Sequence, residues 1–293
     1  MTQIAGLILL LLLITGGLYA TGAEAVLTAL PFELGLIAGT AVATLLIANA
    51  PSVAREAAGG FLRAFRGSRW DQRAYREMLS LLHELARRAR TSGHVSIEPD
   101  IEAPDTSELF ARAPAVQADR LMRDLICDAF RLMAIDPGDP HRINAQMKQF
   151  IDARVGERMR AVSALHTLAD ALPALGIIAA VLGIIKTMAA IDQSTAVIGA
   201  MIASALLGTF LGVFLAYGLV GPVAVRFGQV VEDEAAALET ANSFVSAIAA
   251  GSAPRIALEM ALSGIPAASR PETAALDRDV QAFRFSPALD RAA

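Results

Sequence analysis

Thr195-Ala-Val-Ile-Gly-Ala-Met-Ile-Ala-Ser204-Ala-Leu-Leu-Gly208-Thr-Phe-Leu-Gly212-Val-Phe-Leu-Ala216-Tyr-Gly-Leu-Val-Gly-Pro-Val-Ala-Val225 holds no side chain that is charged at neutral pH. About 20 apolar helical residues cross a bilayer core, so this stretch is long enough to span one. Every fourth residue through its middle is small: Ala200, Ser204, Gly208, Gly212 and Ala216 share one helical face. Small residues at that spacing let backbones approach to van der Waals contact, and such packing joins helices in lipid. The stretch therefore reads as a transmembrane helix that packs tightly against others. Any ionisable group needed beside it must come from elsewhere.

The surrounding composition agrees. The chain has 293 residues, 55% of them hydrophobic and 5% aromatic, with mean hydropathy +0.50. Those values exclude an ordinary soluble domain and favour an integral membrane protein with a soluble part. A net charge of −4 offers no basic surface for nucleic acid. The single cysteine, Cys127, permits no intrachain disulfide, and its amphipathic surroundings suit a buried, inert thiol.

Four apolar runs stand out, at residues 4–20, 34–50, 171–191 and roughly 197–220. The first resembles a signal peptide but lacks a basic leader and a cleavage site, so it reads as an uncleaved first span. Pro31 and Glu33 stand at the lip of the second, where Glu33 reads as an interfacial carboxylate. Lys186 interrupts the third near its far end, where a long side chain can snorkel to the interface. Eighteen of the 25 Lys and Arg residues fall in the loop 51–170, and none in the links 21–30 and 192–196. Basic loops stay inside, so the large loop and both termini are expected in the cytoplasm.

The expected fold is all-α: four transmembrane helices, with a helical cytoplasmic domain between spans two and three. Residues 1–50 hold spans one and two, 51–170 the cytoplasmic domain, 171–222 spans three and four, and 223–293 a C-terminal helix and tail. In the loop, Tyr75, Met78, Leu79, Leu82, Leu85, Ala86 and Ala89 follow the 3.6-residue period, while Arg73, Arg76, Glu77, Glu84, Arg87 and Arg88 fall on other faces. Gly93 breaks that helix, and an acidic connector follows from Glu98 to Asp105. Helix resumes over 116–135 and ends at Pro137-Gly-Asp-Pro140; another, 142–169, feeds the third span, and 227–249 continues the fourth. Pro266, Pro271 and Pro287 punctuate the last thirty residues.

Enzyme chemistry is missing from the pattern. His83, His94, His141 and His166 show no metal-ligand spacing with Cys or carboxylates. Gly183-Ile-Ile-Lys186-Thr187 resembles a phosphate loop, but it lacks the Gly-Lys-[Ser/Thr] step and sits in an apolar span. No Gly-x-Ser-x-Gly element occurs. The expectation is a chain that catalyses no covalent reaction and needs no metal or cofactor.

Leu172-Pro-Ala-Leu-Gly-Ile-Ile-Ala-Ala-Val-Leu-Gly183, then Gly208-Thr-Phe-Leu-Gly-Val-Phe-Leu-Ala-Tyr-Gly218 and Pro222, closely resemble the MotA family, the channel-forming subunits of bacterial flagellar stators. The resemblance covers nearly the whole chain in span order and loop size. A second block, Arg90-Thr-Ser-Gly-His-Val-Ser-Ile-Glu98-Pro-Asp-Ile-Glu102, resembles that family's rotor-facing segment. The resemblance implies a homo-oligomer in the bacterial inner membrane, five such chains around two MotB-like, peptidoglycan-anchored partners. Ions would flow inward at their interface while the pentamer turns against the rotor protein FliG. Spans three and four carry no carboxylate at their core, so a proton-accepting Asp must come from the partner. A proton falling through about 100 mV releases about 2.3 kcal/mol, enough to bias a packing change.

Individual residues take roles from the same resemblance. Thr209 can offer a hydroxyl to a passing ion, or bond it back to the preceding helical turn. Ala179 and Ala180 carry no hydroxyl where sodium-driven relatives have a Thr, which favours protons over sodium. Asp170 either attracts protons leaving the channel or is a helix-end charge in water. Pro173 and Pro222 read from the residues as helix-boundary prolines; the resemblance ties both to coupling ion passage to movement. Arg90 and Glu98 read as solvated charges, and the resemblance makes them rotor-binding residues. A subunit like ExbB or TolQ is the alternative, but those have three spans, an external N-terminus and no such charge block. A structural scaffold without an ion path also stays open.

Overall fold

The structure, a computed structural model, describes residues 2–20, 24–136 and 139–284. Among these residues thirteen α-helices follow one another: α1 (Thr2–Ala20), α2 (Glu24–Ala48), α3 (Pro51–Arg66), α4 (Gln72–Ser92), α5 (Glu98–Glu102), α6 (Glu108–Ala111), α7 (Pro114–Ala118), α8 (Arg120–Ile135), α9 (Pro140–Ala189), α10 (Thr195–Phe214), α11 (Gly221–Ala249), α12 (Pro254–Ser263) and α13 (Thr273–Arg284). A 3-10 turn (His94–Ile97) precedes α5, and a π-helical turn (Leu215–Val220) joins α10 to α11. No strand occurs among the described residues. The break expected at Pro137-Gly138, and Pro287 in the tail, lie outside them.

Among the described residues three helical segments are long and apolar enough to cross a membrane: Ala29–Ala48, Pro140–Ala189 and Thr195–Ala249. The first expected span is helical too, but its described apolar stretch, Gln3–Gly17, is shorter. The chain is thus all-α and membrane-embedded. The helix expected over 142–169 and the third span form one rod, α9, with Pro173 inside it. The chain divides into two compact units, Met1–Gly67 with Glu157–Val230 and Ser68–Gly156 with Val231–Ala293. This partition differs from the four expected segments: α3 groups with the spans, and the residues beyond Val231 group with the loop.

In the first unit α2, α9 and α10 share a core of Ile37, Ala41, Leu172, Ala179, Leu207 and Leu211, extended by Ala216 of the π turn. Their outer faces remain apolar: Ile178, Leu182 and Ile185 of α9 and Leu206 of α10 are all more than half exposed. A helix that is apolar all round belongs in lipid or in a large core, and these three have lipid as their solvent. Ser194 begins α10 by accepting the Val197 N–H at 3.4 Å, which satisfies one of the open donors of a helix start.

The second unit forms around α4. Asp71 caps it, accepting the Ala74 N–H at 2.8 Å. Tyr75, Met78, Leu79, Leu82, Leu85 and Ala86 are each at most 1% exposed, so the 3.6-residue pattern names the core face. Glu84 departs from expectation. Placed among the surface charges by its position on the helix, it is instead 1% exposed. The reason is local. Arg87 donates to it from Nε at 2.8 Å and Nη2 at 2.6 Å, and Arg88 from Nε at 3.0 Å, so the helix brings the counter-charges in with the acid. Beyond the expected C-terminal helix, α13 packs on α4 through Arg76 and Asp279 at 3.1 Å, and the Arg112 guanidinium stacks 4.1 Å above the Phe283 ring. Cys127 is buried, and burial pushes its thiol up to about 12, far from the thiolate that reactivity requires.

Candidate ion path

The small-residue face of α10 meets α9 backbone to backbone. A Cβ added at Gly212 would stand 2.7 Å from the Leu172 carbonyl oxygen and 2.8 Å from the Gly176 Cα. One added at Gly176 would stand 2.8 Å from the Gly208 carbonyl oxygen, and one at Gly183 2.7 Å from the Ala205 Cβ. Glycine here is required by the approach of the two helices, which no larger residue allows. The stripe itself divides. Gly208, Gly212 and Ala216 are buried, Ser204 is half-buried, and Ala200 is exposed on its own chain.

Ala179 and Ala180 lie inside this contact, 2% and 7% exposed. Both face Gly208, whose added Cβ would be 3.1 Å from the Ala179 Cβ and 3.2 Å from the Ala180 nitrogen. Thr209 is half-buried beside them. The hydroxyls of Thr15, Thr40, Thr44, Thr167 and Thr187 all donate to a carbonyl one turn back. Thr209 makes no such bond among the described residues. Asp170 is exposed near the other end of the pair.

One acid does enter the apolar layer, from span two. Glu33 is 4% exposed, packed within the protein and not open to water. The cause is that α2 starts at Glu24, so Glu33 lies nine residues inside the helix, about 13 Å from its start. Its Oε1 accepts from the Ser204 Oγ at 3.4 Å, and its Oε2 has no partner. Burial of Glu33 depends on α10, 171 positions away, so no local signal in the sequence reveals it.

Pro173 is half-buried on α9, and Pro222 is exposed at the start of α11. Pro222 borders a hollow of about 410 Å³ with Leu7 and Leu10 of α1, Phe65 of α3, and Tyr217. Lacking an N–H, it cannot return a bond to the carbonyl one turn back, and the turn before it widens. The Gly221 N–H bonds to the Ala216 carbonyl, closing the π turn. A Cβ on Gly221 would lie 2.8 Å from that same oxygen, so this glycine, which the sequence alone does not single out, is the residue that permits the widening. Single π turns inside helices concentrate at functional sites. Gly221→Ala is expected to reduce swimming speed at least about twofold at unchanged membrane levels, because the turn must re-form as α-helix against Pro222; full speed would detach the π turn from coupling.

Arg90 and Glu98 belong to the second unit, both exposed, on either side of Gly93 (φ +81°) and the 3-10 turn. The left-handed backbone at Gly93 is what glycine supplies there. Arg87 and Arg88, by contrast, are held by Glu84 at 2.6 and 3.0 Å. Neither Arg90 nor Glu98 makes an ion pair among the described residues. Arg90 borders a hollow of about 330 Å³ with His94, Met133 and Ile248.

Fold and site together define a class: an integral membrane protein of close-packed helices with a carboxyl buried among them. Residues 4–93 match the family Motility protein A N-terminal, and residues 117–240 match the MotA/TolQ/ExbB proton channel family. Motility protein A of Salmonella typhimurium is 32% identical over 269 residues, covering 92% of this chain and 91% of that protein. The fold is shared with MotAB from C. jejuni, at TM-score 0.73 and 19% identity over 91% of this chain and 96% of that one. It is also shared with the flagellar MotAB stator complex from Bacillus subtilis, at TM-score 0.69 and 22% identity over 90% and 95%. The chain belongs to the MotA/TolQ/ExbB proton channel family, in its motility protein A branch.

Proposed function

We propose that this chain, a flagellar stator subunit by family, passes protons inward and converts their fall into torque on the rotor. Residues 4–20, 34–50, 171–191 and 197–220 form four spans in the bacterial inner membrane, with both termini and the large loop in the cytoplasm. Five copies surround two MotB-like partners, whose single spans bring the Asp that α9 and α10 lack. Protons pass Ala180 and Thr209 and leave near Asp170; Pro173 and Pro222 link the change at the acid to helix movement. Arg90 and Glu98 meet complementary charges on FliG, a pairing that steers engagement and weakens with salt. The observation that supports this reading is the backbone contact of Gly176, Gly208 and Gly212, too close to hold a side chain, with Ala179 and Ala180 buried against it. The match of residues 4–93 to Motility protein A N-terminal favours it over an ExbB/TolQ-like transducer.

The test is swimming speed in a strain lacking its own stator and supplied with this chain and its partner. Speed is expected to fall to zero as an uncoupler collapses the proton-motive force, and to ignore external sodium. Assembled flagella with both proteins present and no swimming would refute the stator role.

A further inference from the structure

Among the described residues, Glu33 is the one acid buried in the first unit, and the pathway just set out makes no use of it. From α10 come the Ser204 hydroxyl and the bare backbone of Gly208; from α9 come Ala179 and Ala180 across that glycine, and the Lys186 ammonium is the charge that acts on it. Gly208 makes the room: a Cβ there would be 3.3 Å from the Glu33 Oε2. Ser204 lies nine residues into α10, as Glu33 does into α2, so the carboxyl sits about 13 Å below both helix starts.

That group is unsatisfied in either state. Ionised, it has one distant hydroxyl donor and no ion pair, since Lys186 acts on it only from farther away. Protonated on Oε2, it has a donor with nothing to accept it. An open polar group within hydrocarbon is strongly unfavourable, and ionisable residues retained there are tied to ion pathways and proton relays. Resting on the stator reading above, we propose that Glu33 is a proton-carrying site of this chain's own, filled from the outer face and emptied towards the partner's acid beside Ala180 and Thr209. A proton from outer water adds to Oε2; on transfer to the next acceptor the carboxylate is restored, and no other bond changes. A mere tie between α2 and α10 makes a smaller demand, an acceptor for the Ser204 hydroxyl, which a glutamine amide meets equally well.

The experiment compares Glu33→Gln and Glu33→Asp in the full chain with its partner, in the stator-less strain, over a range of external pH. Wild-type chain that fails to drive swimming would overturn the stator reading and is scored separately. The expected result is a Glu33→Gln complex recovered from membranes at wild-type amount, with speed reduced at least about fivefold and little remaining response to external pH. Glu33→Asp, which still carries a proton, should recover part of both. Glu33→Gln swimming with wild-type speed and pH response overturns the proposal. If the glutamine complex does not assemble, Ser204→Ala decides, since it keeps the acid and removes its hydrogen bond. A shifted pH response then supports proton carriage, and an unshifted one overturns it.

Discussion

Gly212→Leu is expected to leave almost no folded chain in the membrane and no motility. The glycine is pressed between the Leu172 carbonyl and the Gly176 Cα, both under 3 Å from where a Cβ would be, and Gly176 is pressed back against Gly208 and Gly212 in turn. None of these neighbours is the flexible end of a side chain. Four added carbons can be accommodated only by parting α9 from α10, which opens the core of Leu172, Ala179, Leu207 and Leu211. In water such a core would be partly held by hydrophobic burial, but between helices in lipid that force is absent and close packing is the main attraction. Overpacking in a dense core alone costs about 1–3 kcal/mol, and the lost contacts add to it. Gly199, with nothing within 4 Å of its added Cβ, is the control on the same helix. Gly199→Leu should give a chain that elutes from a sizing column as wild type does, while Gly212→Leu aggregates. Equal behaviour of the two would mean that α9 and α10 are not held by this contact.

The four-residue repeat of small residues announces close helix packing, but the partner on each side is invisible in it. Gly208, Gly212 and Ala216 go to α9 and the shared core, Ser204 to Glu33 of α2, and Ala200 stays exposed on its own chain. Helical period likewise finds the buried face of α4 from Tyr75 to Ala86, because one face of an amphipathic helix suffices to locate a core. It misplaces the two buried acids for one reason. A charged residue's burial is decided by what satisfies it, and hydropathy patterns do not record satisfaction. For Glu84 the partners are three and four positions on, a spacing equally usual on solvated helix faces. For Glu33 the partner is in another helix, and the cue nearby, Pro31, points to a helix start that in fact lies at Glu24. The π turn is half legible: Pro222 forecasts a disturbed turn, while the need for glycine at 221 emerges only from the Ala216 carbonyl beside it.

Glu84→Gln should lower the stability of the second unit by about 2 kcal/mol at neutral pH, the scale of a hydrogen bond to a charged partner left incomplete. The amide keeps the volume and loses the charge that both Arg87 and Arg88 address, and Arg88 then keeps only Asp100, at 3.7 Å. Because the two guanidinium groups are part-exposed, 31% and 18%, water recovers some of the loss, which keeps the figure below that for a wholly buried pair. The pH dependence has a definite sign. Burial alone would raise the Glu84 carboxyl, but the hydrogen bonds and charges of Arg87 and Arg88 outweigh it and hold the group below its ordinary 4.5. A carboxyl lowered by folding contributes stability above its unfolded value and loses that contribution as pH falls through the folded value. Thermal unfolding of the full chain in detergent should therefore separate wild type from Glu84→Gln at neutral pH. The gap should narrow as pH drops below 4.5 and close once pH has passed the lowered folded value, where folded wild type itself becomes uncharged at this position. A gap of constant width across that range would show that the amide disturbs shape, and that the arginine pair contributes nothing through charge.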